Sequence, residues 1–411
     1  MTTTPDRHLL IVVENLPVPL DRRVWLEATT LQRAGYEVSV ICPMGRGWDQ
    51  DYQLIDGVHI YRYPQPTEAH SGVFAYAGEY GHAIRHWFKL AKKIWNRRPF
   101  DAIQGCNPPD LVFLLALWYR HRGARYIFDH HDVSPELFEA KFAKRGPIYH
   151  LMRLLERITF KTADVSIATN NSFRDIAIRR GGMNPSDVFT VRSAPKTDEF
   201  LPAAGNQTYR KGAATLIGYV GVIGQQEGMD LLVRAADYLV NTIGANVHFL
   251  IIGFGPAHCD MIRDVEQQGL QDHFTFAGAL YDRDLQDALN AIDIGVAPDP
   301  KNTMNDISTM NKVMEYMTLE KPVVQFDLTA LPERRPIDEG GFLNTRQNTE
   351  SQRCRFSPSH ADFSAIRPPF RAPGLDGGPK LAGVGLCQIR LLHPHVKGQR
   401  CITYLPQISQ G

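Results

Sequence analysis

Short apolar runs alternate with amphipathic stretches along most of the chain. His8 to Val13 is a continuous apolar run. Asp21 is placed to cap a helix carrying Val24, Trp25, Ala28 and Leu31 on one side; Gly35 ends it, and Glu37 to Cys42 is apolar again. This is a βαβ unit. Further strands are expected near Val58 to Tyr63, Asp101 to Gly105, Tyr126 to Asp129 and Val165 to Thr169, with helices between them. The pattern lapses from Arg192 to Lys211, where Ser193-Ala194-Pro195 and Pro202-Ala203-Ala204-Gly205-Asn206 predict a hinge. It then restarts with strands at Thr215 to Gly221, Val247 to Ile252, Phe274 to Ala277 and Ile294 to Pro298, and a helix at Met229 to Asn241. Alternation of this kind predicts parallel, doubly wound sheets. The expected division is a Rossmann-like domain over 1–192, a hinge over 193–211, and a second Rossmann-like domain over 212–329.

A chain of 411 residues is long enough for two such cores. Its formal charge of +1 argues against a nucleic-acid binder, which carries a concentrated basic excess. The first strand leads into Glu14-Asn15-Leu16-Pro17 rather than a glycine fingerprint, so no dinucleotide cofactor is expected. The six cysteines form no CxxC pair and read as reduced thiols. With no signal-like start and no apolar run near the ~20 residues that span a bilayer, a cytoplasmic protein is expected, at most one held at the inner face of the plasma membrane.

In doubly wound sheets ligands bind beyond the carboxyl ends of the strands, which directs attention to the loops there. Asn107-Pro108-Pro109-Asp110 and Asp129-His130-His131-Asp132 follow strands of the first half. The His-His-Asp cluster offers too few convergent ligands for a metal, and none is expected; one histidine should serve as a hydrogen-bond donor while the other packs locally. In the second half, the turns at Gly221-Val222 and Gly253-Phe254-Gly255, the Asp299-Pro300 pair and the stretch Ser308-Thr309-Met310-Asn311-Lys312 all fall at strand ends. Polar residues preceding Val313, Met314 and Met317 predict a capped helix start, with Lys312 and Glu315 one turn apart. Such a terminus suits a phosphate; the alternative is a plain i,i+3 salt bridge. Basic helices rich in aromatics, His82 to Arg98 and Lys141 to Lys161, suit an anionic membrane surface, or are solvated helices whose aromatics belong to the core.

These motifs together resemble the GT-B glycosyltransferases, specifically the retaining family 4 (group 1) of bacterial polysaccharide synthesis, over roughly residues 8 to 329. The segments that carry the likeness are Asp21-Arg22-Arg23-Val24-Trp25, the two loops above, Gly218-Tyr219-Val220-Gly221, Ile251-Ile252-Gly253-Phe254-Gly255-Pro256 and Asn311-Lys312-Val313-Met314-Glu315-Tyr316-Met317. The resemblance implies two Rossmann-like domains facing a cleft, a nucleotide-sugar donor, and a saccharide or lipid-linked acceptor. It implies that Glu315 holds the ribose hydroxyls and His131 reaches the donor sugar, making His131, Lys312 and Glu315 the catalytic group. Gly221, Val222, Gly253, Gly255, Asp299, Ser308, Met310 and Asn311 complete the donor side, and Asp21, Arg22, Asn107 and Asp110 the acceptor side. The chain departs from the family at three positions. The first glutamate of the family motif falls at Ile307, where Ser308 or Asp306 would substitute, and the basic residues of the glycine turn fall at Val222 and Glu227. Lys312 and the helix start are then expected to carry the diphosphate charge. The alternatives are the same fold without activity, or a GT-B-type nucleotide-sugar epimerase.

From Ala330 to Gly411 the pattern is lost. That stretch holds 9 of the 27 prolines and carries 11 Lys and Arg against 6 Asp and Glu, in segments such as Arg367-Pro368-Pro369-Phe370-Arg371-Ala372-Pro373. It reads as an irregular tail, disordered or out of frame from about Thr329, in which the closing helices of the family are missing.

Overall fold

Strand β1 (His8–Val12) is buried at all five positions and lies inside an eight-stranded sheet, as its unbroken apolar run requires. The computed structural model describes residues 7–65, 73–142, 145–193, 195, 200–326, 328, 385–392 and 402–407. The chain divides into two units. Unit 1 is Met1–Ser193 with Asn302–Thr309, and unit 2 is Ala194–Lys301 with Met310–Gly411.

The sheet of unit 1 also contains β2 (Glu37–Pro43), β3 (Tyr52–Ile55), β4 (Val58–Tyr63), β5 (Ala102–Cys106), β6 (Arg125–His130), β7 (Val165–Ala168) and β8 (Val188–Thr190), in the order β3-β4-β2-β1-β5-β6-β7-β8. All neighbours are parallel except β3 and β4. That hairpin was not anticipated. Its turn is Asp56-Gly57, both at positive φ (47° and 78°), the backbone that a two-residue hairpin demands. Helix α1 (Arg22–Arg33) packs Val24 and Ala28 into a core with β1, β2 and β4. Helices α2 (Val73–Arg97), α3 (Phe113–Arg120) and α5 (Pro147–Thr162) contribute Trp87, Phe113, Leu115 and Phe160 to a separate core, while α4 (Ser134–Phe142) lies against α5 and the short α6 (Asn171–Asp175) follows β7. Trp87 is fully buried and Phe88 and Trp95 pack on the same core, so these three aromatics of α2 are core residues.

Unit 2 has β9 (Thr215–Val220), β10 (Val247–Ile252), β11 (Phe274–Gly278), β12 (Ile294–Ala297) and β13 (Val323–Phe326) as a parallel sheet in the order β11-β10-β9-β12-β13. Helices α7 (Met229–Asp237), α8 (His258–Gln267), α9 (Asp282–Ala291) and α10 (Asn311–Thr318) alternate with it. The region expected to be irregular contributes two antiparallel strands at the β13 edge, β14 (Gly385–Leu392) and β15 (Ile402–Gln407). β14 carries three Leu and one Ile and β15 one each of Ile, Thr, Tyr and Leu beside Pro406, and both lie outside the segment Arg367 to Pro373 on which the irregular reading rested. The proline-rich stretch Arg367 to Pro373 lies outside the described residues.

The two glycine turns of unit 2 are stacked on each other. Gly253 has φ 132°, and a Cβ there would lie 1.9 Å from the Gly221 carbonyl oxygen; one on Gly255 would lie 2.3 Å from that of Ile223. Only glycine allows this backbone-on-backbone approach. Gly253→Ala is therefore expected to cost about 3 kcal/mol or more, whereas Gly123→Ala, at φ 94° with nothing within 4 Å, should cost only about 1 kcal/mol. Denaturant midpoints of the two variants check the difference.

Candidate functional site

In unit 2 the chemistry gathers around Lys312, the second residue of α10. Tyr316 fixes that helix on the sheet. Its hydroxyl accepts from the Val220 N–H at 3.0 Å and lies 3.3 Å from the carbonyls of Gly218 and Val296, and its ring occupies the space that a side chain at Gly295 would need. One turn earlier, the buried Lys312 ammonium donates to both Asp299 carboxylate oxygens at 3.0 and 2.9 Å and to Glu227 at 3.3 Å, and sits 4.8 Å above the Tyr219 ring. Gly221 has φ 150°, and a Cβ there would lie 3.0 Å from the Tyr219 hydroxyl, which is tighter than ordinary packing. Burial works against the ammonium, but Asp299 and Glu227 outweigh it and hold its pKa above the usual value. Glu227 is pushed up to about 7, chiefly by burial and then by its contact with Asp299.

Several expectations change here. Lys312 is matched by two carboxylates rather than presented as an unmatched cation, and its partners are Asp299 and Glu227. The start of α10 has no polar cap: Met310 is the N-cap residue and makes no side-chain cap bond, while Asn311 is exposed. That leaves the first N–H groups of the helix without a side-chain acceptor at the cap, as an anion site requires. The N–H groups of Gly221 and Gly253 are taken by the carbonyls of Ile252 and Gly278, so these two glycines serve turn packing. Val222 is exposed and its carbonyl accepts from the Tyr219 hydroxyl at 2.7 Å. Ser308 belongs to unit 1, where it donates to the Met304 carbonyl at 2.7 Å, and Ile307 packs against the Val133, Ala168 and Phe173 cluster.

In unit 1 a fully buried carboxylate, Asp129, organises the strand ends. It accepts from Arg23 at 2.9 Å, Gln104 at 3.0 Å and His131 Nε2 at 2.7 Å. Burial alone would raise its pKa; His131 and Arg23 reverse this and hold it far below the usual carboxylate range. In return Asp129 outweighs burial at His131 and raises that imidazole. Glu27, 3.1 Å from Arg23 and 2.7 Å from Gln104, is pushed up to about 8, by burial first and the Asp129 charge second. The sequence reading missed Arg23, Glu27 and Gln104 as site residues. Of the two adjacent histidines, His130 is the locally packed one: buried among Phe128, Phe160 and Phe173 at 4.9 to 5.3 Å, it has its pKa lowered to about 3 by burial.

Asn107 and Asp110, expected on the acceptor side, are buried. Asn107 accepts from the His131 and Asp132 N–H groups at 2.7 and 3.1 Å and donates to Asp110 at 3.0 Å and the Asp132 carbonyl at 2.6 Å. They position the loop that carries His131. Asp21 caps α1 through the Val24 N–H at 3.0 Å, as expected, and Arg22 is exposed. Among the described residues, Cys106, Asp129 and His131 place potential ligand atoms within 4.8 Å of one another. The Asp129 oxygens already accept from Arg23, Gln104, His131 and the Cys106 thiol, and burial pushes that thiol well up, so the set is suited to a hydrogen-bond network rather than to a cation.

Residues 20–192 match the family profile described as Glycosyl transferase 4-like domain, and residues 214–352 the one described as Glycosyl transferases group 1. Among characterised proteins the chain is similar to a chitobiosyldiphosphodolichol beta-mannosyltransferase of Candida glabrata, 21% identical over 294 residues that cover 64% of each chain. It thus spans just under two thirds of that relative's length. Among solved structures it resembles a sucrose-phosphate synthase of Thermosynechococcus elongatus, with TM-score 0.59 and 15% identity over 78% of this chain and 82% of that one. It also resembles Anabaena Alr3699/HepE in complex with UDP-glucose, with TM-score 0.52 and 15% identity over 79% and 81%. The fold is GT-B, and the two matched segments, 20–192 and 214–352, are each similar to a glycosyltransferase domain profile.

Two variants probe these clusters. Lys312→Met leaves two buried carboxylates uncompensated and should cost about 3–5 kcal/mol, most of it recovered in Lys312→Met/Asp299→Asn. Urea unfolding of the pair measures this. Glu27 has a folded-state pKa above its ordinary value of 4.5, so its contribution to stability is complete below pH 4.5 and is lost as pH rises through about 8. Glu27→Gln should therefore flatten the fall in stability between pH 5 and 8.5 by on the order of 2–3 kcal/mol, read from unfolding curves across that range.

Proposed function

We propose that the chain is a nucleotide-sugar-dependent glycosyltransferase that transfers a hexose, with retention, to a saccharide or lipid-linked acceptor in polysaccharide synthesis. The observation that carries this reading is the side-chain-uncapped start of α10, set with Lys312, Asp299 and Glu227 at the strand ends of the domain that matches the group 1 profile. The binding of UDP-glucose by Alr3699/HepE, a protein of the same fold, supports a diphosphate-linked sugar as donor.

In this reading the helix N–H groups and Lys312 receive the diphosphate, and the two oxygens of Glu315 accept from the vicinal ribose hydroxyls. The acceptor oxygen bonds to the anomeric carbon on the face from which the diphosphate departs. The bond to the diphosphate breaks with its electron pair passing to the phosphate oxygen, and that oxygen takes the acceptor proton. No protein base is needed for the step, and the charge developing on the leaving group is what fixed dipoles stabilise. His131, oriented by Asp129 and Asn107, serves to hydrogen-bond sugar hydroxyls.

Because Glu227 titrates near 7 beside the diphosphate position, its ionised form repels the donor. UDP-glucose, whose diphosphate has no proton to lose in this range, should raise the melting temperature and bind more tightly at pH 6 than at pH 8. Glu227→Gln should remove most of that pH dependence, and Glu315→Ala should weaken binding by roughly tenfold or more. Calorimetry with UDP-glucose, and with GDP-mannose in parallel, tests the reading. No binding of any nucleotide sugar would overturn it; binding with an unchanged pH profile in Glu227→Gln would overturn only the role of Glu227.

A further inference from the structure

The first strand of unit 1 leads into a carboxylate that the transferase reading does not use. Along β1 the side chains alternate: Leu9, Ile11 and Val13 belong to the core shared with α1, while Leu10 and Val12 belong to the core covered by α2. The same alternation puts Glu14 on the α2 side, at the carboxyl edge of the sheet, where doubly wound folds take their ligands. Tyr63, the last residue of β4, and Trp87 of α2 lie in that same core. The His86 ring stacks on Tyr63 at 5.5 Å, His82 lies 4.5 Å from His86, and Glu79 stands one turn before His82 on α2.

Polar groups are left without partners here. Glu14 is half-buried, yet among the described residues it has no hydrogen bond and no ion pair. Its pKa is pushed up to about 7, first by burial and then by the negative charge of Glu79, with no cation offsetting either. Tyr63 and Trp87 are only 2% and 1% exposed, and the Tyr63 hydroxyl and the Trp87 indole N–H have no hydrogen-bond partner. After burial, Glu14 is the first charge to oppose ionisation of the Tyr63 hydroxyl, which puts that hydroxyl within its electrostatic reach. Buried polar groups without partners are costly, and two of them beside an unpaired carboxylate call for a partner from outside the chain. Two carboxylates, a hydroxyl oxygen and aromatic rings are the groups that recognise an ammonium, while the indole N–H can only donate and needs an acceptor such as a sugar hydroxyl. His86 adds no competing cation, because burial first, and then His82, Lys89 and Arg85, lower its pKa. Among the described residues, three metal-ligating side chains come together only at Cys106, Asp129 and His131, so this cluster is not preset for a metal ion.

We infer that Glu14, with Glu79, Tyr63 and Trp87, forms a subsite for the ammonium group of an amino sugar and the hydroxyl beside it, so that the acceptor is an amine-bearing saccharide. The ammonium donates to the two carboxylates and to the Tyr63 oxygen, and the neighbouring sugar hydroxyl accepts from the Trp87 indole. Such a ligand supplies the opposite charge that Glu14 lacks and gives both orphaned groups a partner in the same step. As a place for the acceptor the subsite rests on the transferase reading; as a binding site for an ammonium it stands on unit 1 alone.

The test is a ligand-observed NMR titration of the full chain at pH 8, where Glu14 is ionised. The probes are 6-amino-6-deoxyglucose, whose primary amine stays charged there as a lysine's does, its N-acetylated form, and glucose. The free amine should bind roughly tenfold or more tightly than either neutral sugar. Glu14→Gln should bring the three sugars to within about twofold of one another, and Glu79→Gln should remove part of the preference. Glu14 has no partner among the described residues, so unchanged circular dichroism and melting temperature serve as the folding control. Equal affinity for the charged and neutral sugars, or a preference that survives Glu14→Gln, overturns the inference. The two readings fail separately: binding of UDP-glucose without any preference for the amine overturns the subsite alone, whereas an amine preference in a chain that binds no nucleotide sugar overturns its role as the acceptor's place.

Discussion

The ion pair between Lys312 and Asp299 is the interaction on which unit 2 depends. An ammonium taken out of water is tolerated only when an opposite charge and further hydrogen bonds replace its hydration, and here Asp299 supplies two contacts and Glu227 a third. The pair joins the start of α10 to the end of β12, while Tyr316 ties the next turn of the helix to β9 and β12. Two adjacent turns are thus fixed to two adjacent strands. The position of the side-chain-uncapped helix start follows from that attachment.

Unit 1 solves the same problem with the sign reversed. Asp129 is a buried anion, and four donors from α1, β5 and the loop after β6 converge on it. The imidazole of His131 is held by this carboxylate at one nitrogen and by Asn107 at its backbone N–H, so its orientation is set before any ligand arrives. Glu27, close to the same anion, has its pKa pushed up to about 8, first by burial and then by the negative charge of Asp129 beside it.

The alternation of strands and helices was legible because it rests on local periodicity, and the strands from β1 to β12 fall where their apolar runs predict, apart from the hairpin strand β3 and the short β8. The Asp21 cap was legible for the same reason. What the sequence hid was long-range pairing. Arg23 and Glu27 look like an ordinary i,i+4 pair on a helix, and Gln104 like a polar residue in a strand; they become a site only when β5, β6 and α1 meet at Asp129. Asn107 and Asp110 were visible as a motif, but spacing does not distinguish a side chain that meets a ligand from one that holds a neighbouring loop. The half-exposed leucines of α3 were passed over because the run Leu111 to Tyr119 is apolar on all sides and gives no amphipathic signal.

The stacked glycine turns sharpen the electrostatic question in unit 2. The Gly221 and Gly253 N–H groups are occupied by backbone carbonyls, and in α10 the Val313 N–H is taken by the Met310 carbonyl, so an anion at the helix start would rely on the N–H groups of Asn311 and Lys312 and on whatever charge Lys312 retains. Val222 and Glu227 stand where basic residues would otherwise add attraction. With Asp299 and Glu227 both ionised, the pair outweighs Lys312 by one negative charge; with Glu227 protonated, the cluster is neutral. In the proposed reading, an anion at the helix start would be attracted mainly by the backbone dipole, and specificity would come from groups that recognise the rest of the ligand, the two oxygens of Glu315 being suited to a vicinal diol. A site built this way trades long-range attraction for a rigid internal ion pair, which favours ligands with many hydrogen-bonding groups over simple phosphates.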